Sequence, residues 1–255
     1  MNTIKKGSRG SDVVALQKAL DIKPADGIFG NGTESSVKNF QKTHGLTEDG
    51  IVGPATWSVI MKQSDTALSI TNKFISKNLN KRTSSIQYIV IHYTAGRSSN
   101  PGSAIKEYNT FMSGSTSADF AVDDENIIQF NPDISRYCCN AVGGGKGKYG
   151  ITNSNSISIE MCSNLENGTN VNVANHSGWT FTEKTLERAA GLARFLMKKY
   201  NVPEKRVVRH YDASRKLCPG VIGWNNERIY DKVTGNPTSS FSNTLAWENW
   251  KKRLL

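Results

Sequence analysis

The segment RHYDASRKLCPG, residues 209–220, holds His210 and Cys218 in one short loop, with Lys216 two positions before the cysteine and Pro219-Gly220 directly behind it. The chain contains only 4 histidines and 4 cysteines, so one of each beside a cation is a concentration of metal-ligating groups. An imidazole and a thiolate suit zinc. Catalytic zinc sites take three protein ligands and leave the fourth position to water, whereas closed structural sites need four. No C-x-x-C pair is present to build a closed one.

The third ligand must come from elsewhere in the chain. Beyond residue 63 the histidines are His92, His176 and His210. His92 ends the β-branched apolar run IQYIVIHYT (86–94), where a side chain emerges at a sheet rim, and it completes the set with His210 and Cys218. His176 lies in the polar stretch NVANHSGW and reads as an exposed loop residue. Zinc-bound water has a pKa near ~7. Hydrolysis by such a water also needs a group that takes and returns a proton, and a donor for the developing oxyanion. Glu160, a lone carboxylate within the apolar stretch SNSISIEMC (154–162), meets the first need, and Lys216 meets the second. Cys162 shares the Glu160 face and reads as packing. Cys138 and Cys139 are adjacent and read as buried or tolerated thiols.

These side chains need a scaffold. The run 86–94 fits a strand buried on both faces. SAIKEYNTFM (103–112) is helix-like, ADFAVDDENIIQF (118–130) reads as a hairpin turning at Asp124–Asn126, and 154–162 is a further strand. A long amphipathic helix spans Glu183–Tyr200, capped by Thr182 and ended before Pro203. EKRVVRH then leads as a strand into the ligand loop, and WENWKKRLL forms a last helix. Alternating strands and helices predict an α/β fold, a mixed sheet flanked by helices.

The first 63 residues are organised differently. DGIFGNGT (26–33) and DGIVGPAT (49–56) share the pattern D-G-I-x-G-x-x-T, 23 residues apart. Asp-Gly supplies a tight turn, and each threonine is placed to cap the helix that follows. An earlier helix over Asp12–Leu20 carries Val13, Leu16 and Leu20 on one face. His44, before Gly45 at a helix end, reads as a favourable charge on the helix dipole. The expected layout is a small all-α three-helix domain over 1–63, a polar linker or docking segment over 64–85 and the α/β domain over 86–255.

At 255 residues with 37% hydrophobic and 21% charged content, the chain fits an ordinary globular protein. Its amino-terminal stretch has no apolar run long enough for a signal peptide, and no segment is long enough for a membrane helix. Synthesis in the cytoplasm without membrane insertion is the expectation. The net charge is +10. Eight basic and 6 acidic residues up to residue 63 leave +2, and 24 and 16 beyond it leave +8. Such an excess favours polyanions, either nucleic acid or the anionic polymers of a bacterial wall. The basic residues are scattered, so a nucleic-acid partner is not expected.

Two resemblances give these pieces a common setting. GSRGSDVVALQKAL, DGIFGNGTESSVKNFQKTHGL and DGIVGPATW, within residues 5–62, resemble the peptidoglycan-binding domain of bacterial and phage wall enzymes. IVIHYTAG, TSADFAVDD, NSNSISIEMC, TEKTLERAAGLARFL and VVRHYDASRKLCPG, within residues 86–220, resemble the zinc-dependent N-acetylmuramoyl-L-alanine amidases of the phage lysozyme and peptidoglycan recognition protein type. This second resemblance implies Zn²⁺ on His92, His210 and Cys218, Glu160 as acid and base, and Lys216 on the oxyanion. It also implies bacterial peptidoglycan as substrate, cut at the amide between the lactyl group of N-acetylmuramic acid and L-alanine. The whole resembles a phage endolysin acting at the cell wall. The alternative on the same fold is a non-catalytic recognition protein, but such relatives typically lose the cysteine that Cys218 preserves. Two departures stand out: Asp119 and Asn140 occupy positions where relatives often carry histidine. Ala118 stands near the position of a tyrosine that some relatives use in catalysis, which shifts that role to Glu160. The glycine-rich segment GGGKGKYG (143–150) is expected to form a mobile loop whose lysines meet anionic substrate groups.

Overall fold

The computed structural model describes residues 2–66, 68–96, 98–143, 147–165, 178–221, 223–224 and 245–254. His176 and most of the stretch 221–244 lie outside these residues. The chain divides into two compact units, Met1–Leu68 and Ser69–Leu255.

The first unit contains α1 (Ser11–Ala19), α2 (Asn31–Thr43) and α3 (Pro54–Thr66). Val13 and Leu16 of α1, Val37 and Phe40 of α2 and Trp57 of α3 meet in one core with Phe29 and Val52. The sequence repeat is a repeat of hydrogen bonds. Gln17 donates from Nε2 to Asp26 Oδ1 at 2.8 Å, Ile28 O at 3.1 Å and Thr33 Oγ1 at 3.2 Å, and accepts from Gly27 N at 2.9 Å. Gln41 repeats the arrangement with Asp49 at 2.8 Å, Ile51 O at 3.0 Å, Thr56 at 3.2 Å and Gly50 N at 2.9 Å. The two threonines are therefore not caps. Gly30 holds the N-cap position of α2, and Thr33 sits inside the first turn, where the buried glutamine captures its hydroxyl. His44 ends α2, with Nδ1 at 2.7 Å from Phe40 O and its ring stacked on Phe40.

The second unit is built on a six-stranded mixed sheet. Its strands are β1 (Ile70–Asn72), β3 (Tyr88–Tyr93), β4 (Phe120–Val122), β5 (Ile127–Gln129), β7 (Ser156–Met161) and β10 (Val207–Arg209), in the spatial order β1-β5-β4-β7-β3-β10. Only β4 and β5 pair antiparallel; the other neighbours are parallel. Two small ribbons pair β2 (Leu79–Lys81) with β6 (Tyr137–Cys139) and β8 (Asn164–Leu165) with β9 (Trp179–Thr180). α4 (Ser103–Ser113) packs on β4 and β5, and α5 (Glu183–Tyr200) packs on β3, β4 and β7. After β10 come α6 (His210–Ser214) and, at the end of the chain, α7 (Leu245–Lys251), which lies on α5. Thr182 caps α5 by accepting from Thr185 N at 3.1 Å.

Within 64–85, residues 70–82 are a docking segment of the second unit and not a free linker. Residues 70–72 form the edge strand β1 and residues 79–81 pair with β6. Arg82 locks this stretch to the domain by donating to Ile134 O at 2.8 Å, Ser154 O at 2.6 Å and Ser156 O at 3.1 Å. Three-residue edge strands with mostly exposed side chains carry no readable alternation, which is why the segment looks like a linker in sequence.

Candidate metal centre

Strand register assembles the site. His92 on β3 lies directly opposite Glu160 on β7, and Glu160 lies opposite Ala121 on β4. Arg209 on β10 pairs with Ile91, so His210, the next residue, arrives beside His92 as the strand passes into α6. The chain then turns back, and Tyr211 N donates to Cys218 O at 3.0 Å, closing the loop that carries Lys216 and Cys218. A buried clamp fixes the start of this loop. Arg209 holds both carboxylate oxygens of Asp212, at 3.0 and 2.7 Å, and donates to Trp224 O at 2.6 Å.

His92, His210 and Cys218 are all buried, and one ligand atom of each lies within 4.8 Å of the others. The imidazole centroids are 4.6 Å apart, and Cys218 Sγ is 3.9 Å from His92 Nδ1. His92 Nε2 and both ring nitrogens of His210 are buried without a hydrogen-bond partner among the described residues. Buried polar atoms are normally satisfied, so convergent lone pairs left this way fit a cation. Two imidazoles and a thiol are the donor set of an open zinc site. Burial, with His210 and Lys216 nearby, holds His92 well below the ordinary histidine range. Burial and Lys216 bring His210 down to about 4, and burial pushes the Cys218 thiol up. Neutral imidazoles are ready to ligate. A bound dication would reverse the thiol's preference and draw off its proton.

Glu160 stands beside this cluster with Oε1 at 4.0 Å from His92 Nδ1, and its buried Oε2 has no partner among the described residues. Burial raises its carboxyl well above the usual range, Glu107 adds to this and Lys216 opposes it. Lys216 is exposed at the rim, and its charge reaches His92, His210, Glu160 and Cys218. The five residues singled out from sequence therefore converge. Cys162 packs in the core under α4 with Ala104 and Phe111.

Asp119 is engaged within the sheet. It is buried and accepts from Ser158 N and Oγ, both at 2.8 Å, and from Asn131 Nδ2 at 2.6 Å, bracing β4 against β7. Asn140 accepts from Asn80 Nδ2 at 2.6 Å. Sequence reasoning did not single out Glu107, a half-buried acid on α4 whose carboxyl is raised to about 7 by burial. Nothing in the pattern of SAIKEYNTFM distinguishes it from a solvated helix glutamate.

Comparison with known proteins finds matches for both units. Residues 9–60 match the peptidoglycan binding domain family. N-acetylmuramoyl-L-alanine amidase CwlH of Bacillus subtilis is 33% identical over 144 residues, covering 54% of this chain and 50% of that protein. N-acetylmuramoyl-L-alanine amidase XlyB of the same species is 35% identical over 138 residues, covering 53% and 37%. The chain thus spans about half the length, or less, of these curated relatives. Among solved structures, a mutant endolysin from Bacillus subtilis superposes with a TM-score of 0.50 at 24% identity, over 74% of this chain and 99% of that one, a likeness of fold. Residues 82–221 match the N-acetylmuramoyl-L-alanine amidase family, a match that takes in more than half of the chain and all five convergent residues, and the chain belongs to that family.

Proposed function

We propose that this protein hydrolyses the amide joining the lactyl group of N-acetylmuramic acid to L-alanine in bacterial peptidoglycan, with Zn²⁺ held by His92, His210 and Cys218. The observation that carries this reading is the set of converging buried ligand atoms with the Glu160 carboxylate beside it, its Oε1 4.0 Å from His92 Nδ1. When bound, the ion would polarise the lactyl carbonyl and lower the pKa of water toward ~7. Glu160 takes the proton of the attacking water on a carboxylate oxygen. It returns that proton to the nitrogen of the departing L-alanine, so the C–N bond breaks with a neutral amine leaving. Burial favours the protonated carboxyl, and the charge of a bound dication would bring it back toward the carboxylate that accepts the proton. Lys216 donates from Nζ to the carbonyl oxygen as negative charge develops there. The first unit, which matches a peptidoglycan binding family, would hold the chain on the wall, and the net charge of +10 would favour anionic wall polymers.

Glu160→Gln tests the assignment. Release of new amino termini from peptidoglycan should slow by roughly 10²–10⁴, while zinc content stays at the wild-type value. Full activity in this variant would remove Glu160 from the mechanism.

A further inference from the structure

The loop between His210 and Cys218 carries a second cation, Arg215, in an unusual setting. Arg215 has φ 64°, the left-handed region that glycine enters readily and a long side chain does not. Backbone strain of this kind persists only where its surroundings hold it. Here the guanidinium lies 4.2 Å from the Tyr149 ring centroid and 5.1 Å from that of Tyr211, between two aromatic faces. Its Nη1 donates to Tyr211 O at 3.2 Å and Asp212 O at 3.4 Å, and among the described residues its Nε and Nη2 edge has no hydrogen-bond partner. Tyr149 is itself presented by a tight turn in which Gly150 N donates to Gly147 O at 2.9 Å, and Lys148 Nζ lies 5.5 Å from its ring. Among the described residues no carboxylate lies within ion-pair distance of Arg215, Lys216 or Lys148. Elsewhere Arg209, Lys251 and Arg253 all have acidic partners.

We infer that Arg215, held between Tyr149 and Tyr211 and flanked by Lys216, is a seat for a free carboxylate on the peptide half of the substrate. The inference rests on the amidase reading, in which the lactyl carboxyl is consumed in the scissile amide and the stem peptide is the part of the substrate left with free carboxylates. A planar, pre-oriented guanidinium edge matches a carboxylate in two-point fashion, and the aromatic faces fix it before substrate arrives. Arg215 is thus a specificity residue: it selects which stem peptides reach the proton-transferring groups.

The test uses the full zinc-loaded chain and two soluble muramoyl peptides. They are identical except that the residue after L-alanine bears a free α-carboxylate in one and a carboxamide in the other, with the C-terminal carboxyl amidated in both. The wild type should favour the carboxylate about tenfold in kcat/KM, the discrimination of one charge-assisted contact. In Arg215→Gln this ratio should fall toward one, while Lys205→Gln, an exposed cation on the 3₁₀ turn before β10, should keep it. Equal hydrolysis of both peptides by the wild type, or an undiminished preference in Arg215→Gln, would overturn the carboxylate seat and leave the amidase reading standing. Hydrolysis of neither peptide would overturn both.

Discussion

Buried ligand atoms that face one another without partners leave each residue of the site little choice of role. Cys218 is the most exposed to test, because a buried thiol has no reason to ionise unless a cation is present, and burial alone pushes it the other way. Cys218→Ala should lose zinc on dialysis and lose hydrolysis with it; a variant that keeps both would exclude the thiol as a ligand. Glu107 makes a separate prediction. Its carboxyl is raised from 4.5 to about 7 in the folded chain, so the folded state favours its protonated form. Its contribution to stability is therefore full below about pH 4.5 and is lost as pH rises through about 7. Glu107→Gln should flatten the fall in urea midpoint over that window; an unchanged pH profile would contradict the burial argument. His92, His210, Cys218, Glu160 and Lys216 were legible in sequence because rare side chains stood at strand ends or within one loop. Glu107, the Arg209–Asp212 clamp and the Arg215–Tyr149 stack were not, since each depends on segments that only the fold brings together.

At the level of elements, the strands are short and register does most of the positioning. His92, Glu160 and Ala121 share a row across β3, β7 and β4, so a slip of one residue in any pairing would turn a functional side chain to the other face. Elements with a pattern were readable: β3 and β7 as apolar runs, α4 and α5 by apolar periodicity, and α5 begins after Thr182 as its cap predicts. The segment 70–82 was unreadable, because its strands expose most of their side chains and are held by backbone pairing and by Arg82. In the first unit the repeat was visible, but its physics was not. The D-G-I-x-G-x-x-T pattern reads as a turn and a cap; the turns form, but the threonines bond a glutamine on the preceding helix, which organises each repeat. Gln17→Leu and Gln41→Leu should each destabilise the unit by about 1–3 kcal/mol, the cost of leaving buried polar groups unpartnered. The two costs should match, because the two networks use the same partners at nearly equal distances. Thermal melts of the two variants would check this, and a large disparity would contradict the equivalence of the repeats.

For the whole molecule, the two units have separate cores and separate family matches, residues 9–60 and 82–221. No helix among the described residues is long and apolar enough to cross a membrane. Under the proposed function, a wall-binding module joined to a hydrolase would raise local substrate concentration, which matters most for an insoluble polymer. The division into a helical and an α/β part was legible because periodicity and repeat structure change after residue 63, although the sheet's first strand begins earlier than composition suggested. The most direct test of the account is digestion of purified peptidoglycan by the zinc-loaded chain, scoring new L-alanine amino termini and new reducing sugar ends separately, with and without chelator. Alanine termini without reducing ends should appear, be abolished by chelator and be restored by zinc. Binding to the wall with neither product, or alanine termini that persist in metal-free protein, would contradict the zinc amidase reading.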